Sequence, residues 1–148
     1  MGLPATPPRL PATPPRLPDW QTRLIGYLNA AARCPFKVGT HDCCLFAAGA
    51  VRAMTGSDPA AGYRERYTTL KGGLRVLRKA GFKDHVDMAQ TLFSEAHASR
   101  AAPGDLALVD TPEGPALGVV QGESVYVLGP GRMGLLPVSA ARLFLRVG

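Results

Sequence analysis

Gly39-Thr40-His41-Asp42-Cys43-Cys44-Leu45-Phe46 sets a glycine, an acidic residue and a cysteine pair ahead of an apolar run that lasts to Met54. Asp42 suits an N-cap, because its carboxylate can take the free N–H groups of a first helical turn. Gly56 can end the same helix in a left-handed conformation. The pattern predicts a helix over Cys43 to Thr55, with Cys43 in its first turn. There the unpaired N–H groups and the helix dipole favour thiolate over thiol. Cys43 is accordingly the candidate nucleophile. An inert buried cysteine is the plain alternative, and a partner base decides between them.

The chain has three histidines. His41, two residues before Cys43, is the candidate base closest in sequence. A residue just outside a helix start usually points away from its first-turn neighbour, so a local loop contact is the simpler expectation. His85 follows Gly81-Phe82 in a helix-to-helix turn, and His97 lies in the approach to Pro103. Both read as surface residues. Asp42 needs only local geometry to cap, so it reads as a cap and not as a triad member. Cys44 is displaced by about 100° around the helix from Cys43. It reads, with Cys34, as a small buried apolar residue.

Upstream, Asp19 is positioned to cap a first helix from Trp20 to Arg33. Trp20, Leu24, Leu28 and Ala31 recur at helical spacing, and Pro35 stops the run. Downstream, a third helix is expected near Thr69 to Ala80 and a short one over Val86 to Glu95. From Gly104 the character changes. Leu106–Val109, Leu117–Val120, Ser124–Leu128, Leu135–Val138 and Leu143–Val147 read as short strands separated by Gly and Pro turns. Helices first and an antiparallel sheet second is an α+β order.

Residues 1–18 form a separate Pro-rich arm ahead of a domain at 19–148. The arm repeats a heptapeptide, Leu3-Pro-Ala-Thr-Pro-Pro-Arg9 and then Leu10-Pro-Ala-Thr-Pro-Pro-Arg16. Proline fixes φ and removes donors, so an extended polyproline II state with few contacts to its own domain is expected. A flexible duplicated tail and an arm that drapes along a neighbouring subunit both fit.

At 148 residues and 46% apolar content the chain suits one domain with a real core. Seventeen basic against eleven acidic residues give +6. The densest basic group runs from Arg64 to Lys83. It reads as a solvated helix face or as a surface for an acidic partner, and no Arg/aromatic interleaving points to nucleic acid. Three cysteines make no disulfide framework and have no metal-ligand spacing with the histidines, so no metal or cofactor is expected. No segment reads as a signal peptide or membrane span. Reduced thiols fit assembly in a cytoplasm.

Asp42-Cys43-Cys44-Leu45-Phe46 resembles the Asp-Cys-Ser-Gly-Phe signature of the NlpC-type cell-wall cysteine peptidases, which have a papain-like fold. Ala102-Pro103-Gly104-Asp105-Leu106 is similar to that family's Pro-Gly-Asp-Leu strand entry. Ala116-Leu117-Gly118-Val119-Val120-Gln121-Gly122 is similar to its His-Val-Gly-Ile-Tyr-Leu-Gly strand. Together with Thr55-Gly56-Ser57-Asp58, the pattern looks most like a phage-encoded, functionally unassigned branch. The resemblance implies that Cys43 stands at the nucleophile position and that Asp105 is a structural strand-entry residue. It puts the general base at Ala116, which cannot take a proton. The third polar residue falls within Tyr126-Val127-Leu128, which offers neither imidazole nor amide.

Three functions follow from the resemblance. The first is a virion structural protein, a tail-tip or hub subunit contacting other tail proteins, assembled in the host cytoplasm and without its catalytic base. The second is an active cysteine peptidase or amidase on peptidoglycan, with Cys43 as nucleophile and His41 or another group recruited as base. The third is a module that binds peptide or glycan in the old cleft.

Overall fold

In a computed structural model, which describes residues 14–148, the helices come first and the sheet second. The helices are α1 (Trp20–Arg33), α2 (Cys43–Thr55), α3 (Leu70–Lys79) and α4 (His85–Leu92). The strands are β1 (Glu95–Ala96), β2 (Leu106–Thr111), β3 (Gly114–Gln121), β4 (Ser124–Leu128), β5 (Met133–Pro137) and β6 (Ala141–Leu145). They form one antiparallel sheet in the order β1-β6-β2-β3-β4-β5. The mixed α+β class expected from the sequence is therefore the class observed.

The strands bury both faces. Leu106, Leu108, Leu117, Val119, Leu128 and Leu145 pack with Leu24 and Leu28 of α1 and with Phe46, Ala50 and Met54 of α2. The alternate residues, among them Ala107, Val109, Ala116, Val120, Val125 and Phe144, make a second apolar cluster. This period-two division follows from side chains pointing to opposite faces of a strand. Small residues on α2 let α1 close in, as their run in the sequence suggests. Tyr27 stacks on Phe46 with centroids 5.9 Å apart and donates its hydroxyl to the Phe46 carbonyl at 2.7 Å. A Cβ at Gly49 would stand 2.2 Å from that hydroxyl oxygen, so glycine is required there.

Several expectations need correction. Asp19 does not cap α1. Its backbone is not extended, and its carboxylate accepts from Arg23 Nε at 2.9 Å instead. The helix expected to reach Glu95 ends at Leu92, because Glu95 and Ala96 pair with Leu145 and Phe144 as β1. That tertiary pairing leaves no local signal in the sequence. The arm also differs from expectation where it can be followed. Residues 1–13, which hold the first heptapeptide and the start of the second, lie outside the described residues. Arg16 and Leu17 do not run free: Leu17 N–H donates to the Met54 carbonyl at 2.7 Å, and Arg16 bonds to Asp105.

Candidate functional site

Asp42 builds the head of α2. Its Oδ1 accepts the Leu45 N–H at 3.0 Å, which is the expected N-cap. Its Oδ2 accepts the Gly39 N–H at 2.9 Å and the Tyr67 hydroxyl at 2.6 Å. With three donors on a buried carboxylate, Asp42 is committed to structure. Gly39 has φ +87°, and its carbonyl accepts the Glu65 N–H at 2.8 Å. At the other end Gly56 closes α2 in the left-handed region at φ +81°. Burial and the adjacent Asp42 carboxylate push the Tyr67 phenol well above its ordinary pKa, so it remains a donor.

Cys43 opens the helix held by this clamp. It packs, partly buried, against the apolar cluster that contains Ala116, Val125 and Val127. That cluster is apolar, and it includes Ala116 and Val127, from the stretches of β3 and β4 that the resemblance assigns to the base and the third polar residue.

The neighbouring thiol differs from expectation. The Cys43 and Cys44 sulfurs are 3.9 Å apart, within reach of an S–H···S hydrogen bond. The Cys44 S–H bond to Cys43, with help from the Leu117 and Cys44 backbones, holds the Cys43 thiol below the usual range despite burial and Asp42. The same bond, burial and the nearby Asp42 and Asp84 carboxylates push Cys44 well above it. Cys34 is exposed, not buried as expected, since it follows the last turn of α1 on an extended backbone.

None of the three imidazoles is hydrogen-bonded to Cys43. His41 Nε2–H donates to the Ala31 carbonyl at 3.1 Å, and the ring meets Phe46 edge-on at 6.4 Å. His85 Nε2–H donates to the Pro115 carbonyl at 2.7 Å. His97 Nδ1 is engaged by Ser99 at 2.8 Å. The His41 ring thus ties its loop to α1 and is not hydrogen-bonded to Cys43. His85 bridges α4 to the residue before Ala116, a contact across thirty positions that no local pattern announces. Among the described residues no group of three or more His, Cys, Asp or Glu could hold a metal ion, and no helix is long and apolar enough to cross a membrane.

A family model spans residues 15–147 of this chain. The chain belongs to the DUF6950 family. That family is described only as a domain of unknown function, so DUF6950 membership brings no activity with it. No curated protein matches the chain.

In chemical terms Cys43 of this DUF6950 chain is a thiol with no imidazole hydrogen-bonded to it. A cysteine hydrolase needs a general acid to protonate the leaving amine and a base to activate the water that clears the acyl-enzyme. The lowered Cys43 thiol meets neither need. We expect iodoacetamide at neutral pH to label Cys43 ahead of Cys44, with the Cys43 rate reaching its plateau at lower pH than that of an ordinary thiol. Replacing Cys44 with alanine moves the Cys43 profile upward in pH. Peptide mapping across a pH series checks both, and an unmoved profile in Cys44→Ala contradicts the assignment.

Proposed function

We propose that this protein is a structural subunit of a phage tail tip or hub, built on a papain-like NlpC-type fold that has lost its catalytic base. The observation that carries the reading is the apolar wall at Cys43. Ala116, Val125 and Val127 lie in the cluster against which Cys43 packs, and each imidazole is bonded elsewhere. The order of helices and antiparallel strands, the capped cysteine helix and the buried Asp105 at strand entry are the features an NlpC-type domain would need. With the chemistry gone, the retained value of the domain is its shape. Its partners on this reading are other tail proteins, and its location is the virion after assembly in the host cytoplasm.

The lowered Cys43 thiol favours a second reading, an active peptidoglycan-cleaving cysteine peptidase or amidase. It supplies the attack and not the proton transfers. The test of the first reading is composition of purified virions from the encoding genome. Mass spectrometry should find this chain at a fixed ratio to the tail proteins, and deleting its gene should leave tails incomplete. Complete, infectious particles without the chain would overturn the structural role.

A further inference from the structure

The heptapeptide repeat has no part in the reading above, and its second copy ends in a built socket. Arg16 Nε donates to the Val147 carbonyl at 2.8 Å, Nη1 to the Pro103 carbonyl at 2.8 Å and Nη2 to Asp105 Oδ1 at 3.0 Å. Its guanidinium carbon lies 4.3 Å from the centroid of the Trp20 ring. The Asp105 side chain is 3% exposed, and the Arg16 side chain 17%. Asp105 also accepts the Ala102 and Val147 N–H groups, so the carboxylate is fixed before the arginine arrives. The walls close tightly on this side chain. A Cβ at Gly104, where φ is +90°, would stand 2.8 Å from Arg16 Nη1, and one at Gly148 2.7 Å from Arg16 Cγ.

The peptide in the socket is Pro14-Pro15-Arg16-Leu17-Pro18, and the chain contains the same five residues as Pro7-Pro8-Arg9-Leu10-Pro11. The two donors the domain engages, the guanidinium and the N–H of the leucine after it, have counterparts there, and prolines flank both copies. We propose that residues 7–11 are a second ligand for the Arg16 socket, so that the arm can hold its own domain in either of two registers seven residues apart. The shifted register inserts seven residues between the socket and α1. Loop-closure cost rises only with the logarithm of length, so the observed register is preferred while both copies are intact and the upstream copy takes over when the first is lost or drawn away. Tethering sets the effective concentration of the upstream copy at roughly the mM level, which makes the same chain, not a second molecule, the occupant. A partner can then pull on the arm without leaving the buried Asp105 carboxylate without a cation. This inference does not rest on the tail reading.

The test uses the full chain and its single tryptophan, Trp20, as reporter of the guanidinium beside it. Arg9→Ala should melt within about 1 °C of wild type, Arg16→Ala about 2 °C lower, and Arg9→Ala with Arg16→Ala about 6 °C lower or more. Trp20 emission should shift in the same order. Arg16→Ala combined with deletion of residues 3–9, which leaves one heptapeptide, should behave like the double variant. The rescue in Arg16→Ala should not depend on protein concentration. The proposal is overturned if Arg16→Ala matches the double variant in both readouts, or if no variant moves either. Rescue that fades on dilution also overturns it, because the second occupant would then be another copy. If the double variant fails to fold, a folded Arg16→Ala supports the proposal and an unfolded one overturns it.

Discussion

Replacing Asp42 with alanine lowers the melting temperature by about 10 °C. The buried carboxylate takes the Leu45 N–H, the Gly39 N–H and the Tyr67 hydroxyl, and alanine leaves all three donors without it. Loss of an N-cap together with unsatisfied buried donors costs about 4 kcal/mol, and a domain of this length loses about 2–4 °C per kcal/mol. Tyr67→Phe removes one of the three bonds and keeps the ring, so its expected loss is about a third as large. Thermal unfolding followed by circular dichroism measures both. A loss under about 2 °C in Asp42→Ala would show that solvent replaces the carboxylate freely and that the head of α2 is not held from this residue.

Gly39→Ala is expected to be as damaging for a different reason. At φ +87° an L-residue is strained, and the added Cβ would stand 1.9 Å from the Tyr67 carbonyl oxygen. That oxygen belongs to backbone, so relief requires moving the segment whose side chain holds Asp42. Left-handed strain of about 1 kcal/mol and a backbone collision of several more give a loss of about 4 kcal/mol. Because the same clamp aims Cys43, its iodoacetamide profile should move toward that of an ordinary thiol in any molecules that remain folded. A stable Gly39→Ala protein with an unmoved Cys43 profile would separate the loop from the thiol.

What could be read in the sequence was what local chemistry writes there. Asp42, the apolar run after it and Gly56 define α2 through capping, periodicity and a left-handed C-cap, and the observed helix has the expected bounds. The strands after Gly104 were legible because aliphatic runs alternate with Gly and Pro turns. What was not legible depends on distant partners. Tyr67 reaches Asp42 from twenty-five residues away, β1 exists only through β6, and Arg16 finds Asp105 across eighty-nine positions. The Cys43–Cys44 contact was missed for another reason: helical spacing fixes Cβ directions and not the positions of the sulfurs, which lie 3.9 Å apart. At the candidate site, the cysteine position was readable from Asp42 and the helix start. The destinations of the three imidazoles were not, since each is set by a hydrogen bond to a carbonyl or hydroxyl that carries no sequence signature.

On the reading proposed above, Cys43 is a thiol without a proton-transfer partner. Incubating the purified full-length protein with peptidoglycan, beside Cys43→Ala, and measuring released muropeptides by mass spectrometry tests it most directly. Both samples should release no more product than buffer. Product released by the native protein and abolished in Cys43→Ala would contradict it, and would mean that an imidazole leaves its carbonyl to serve the cysteine.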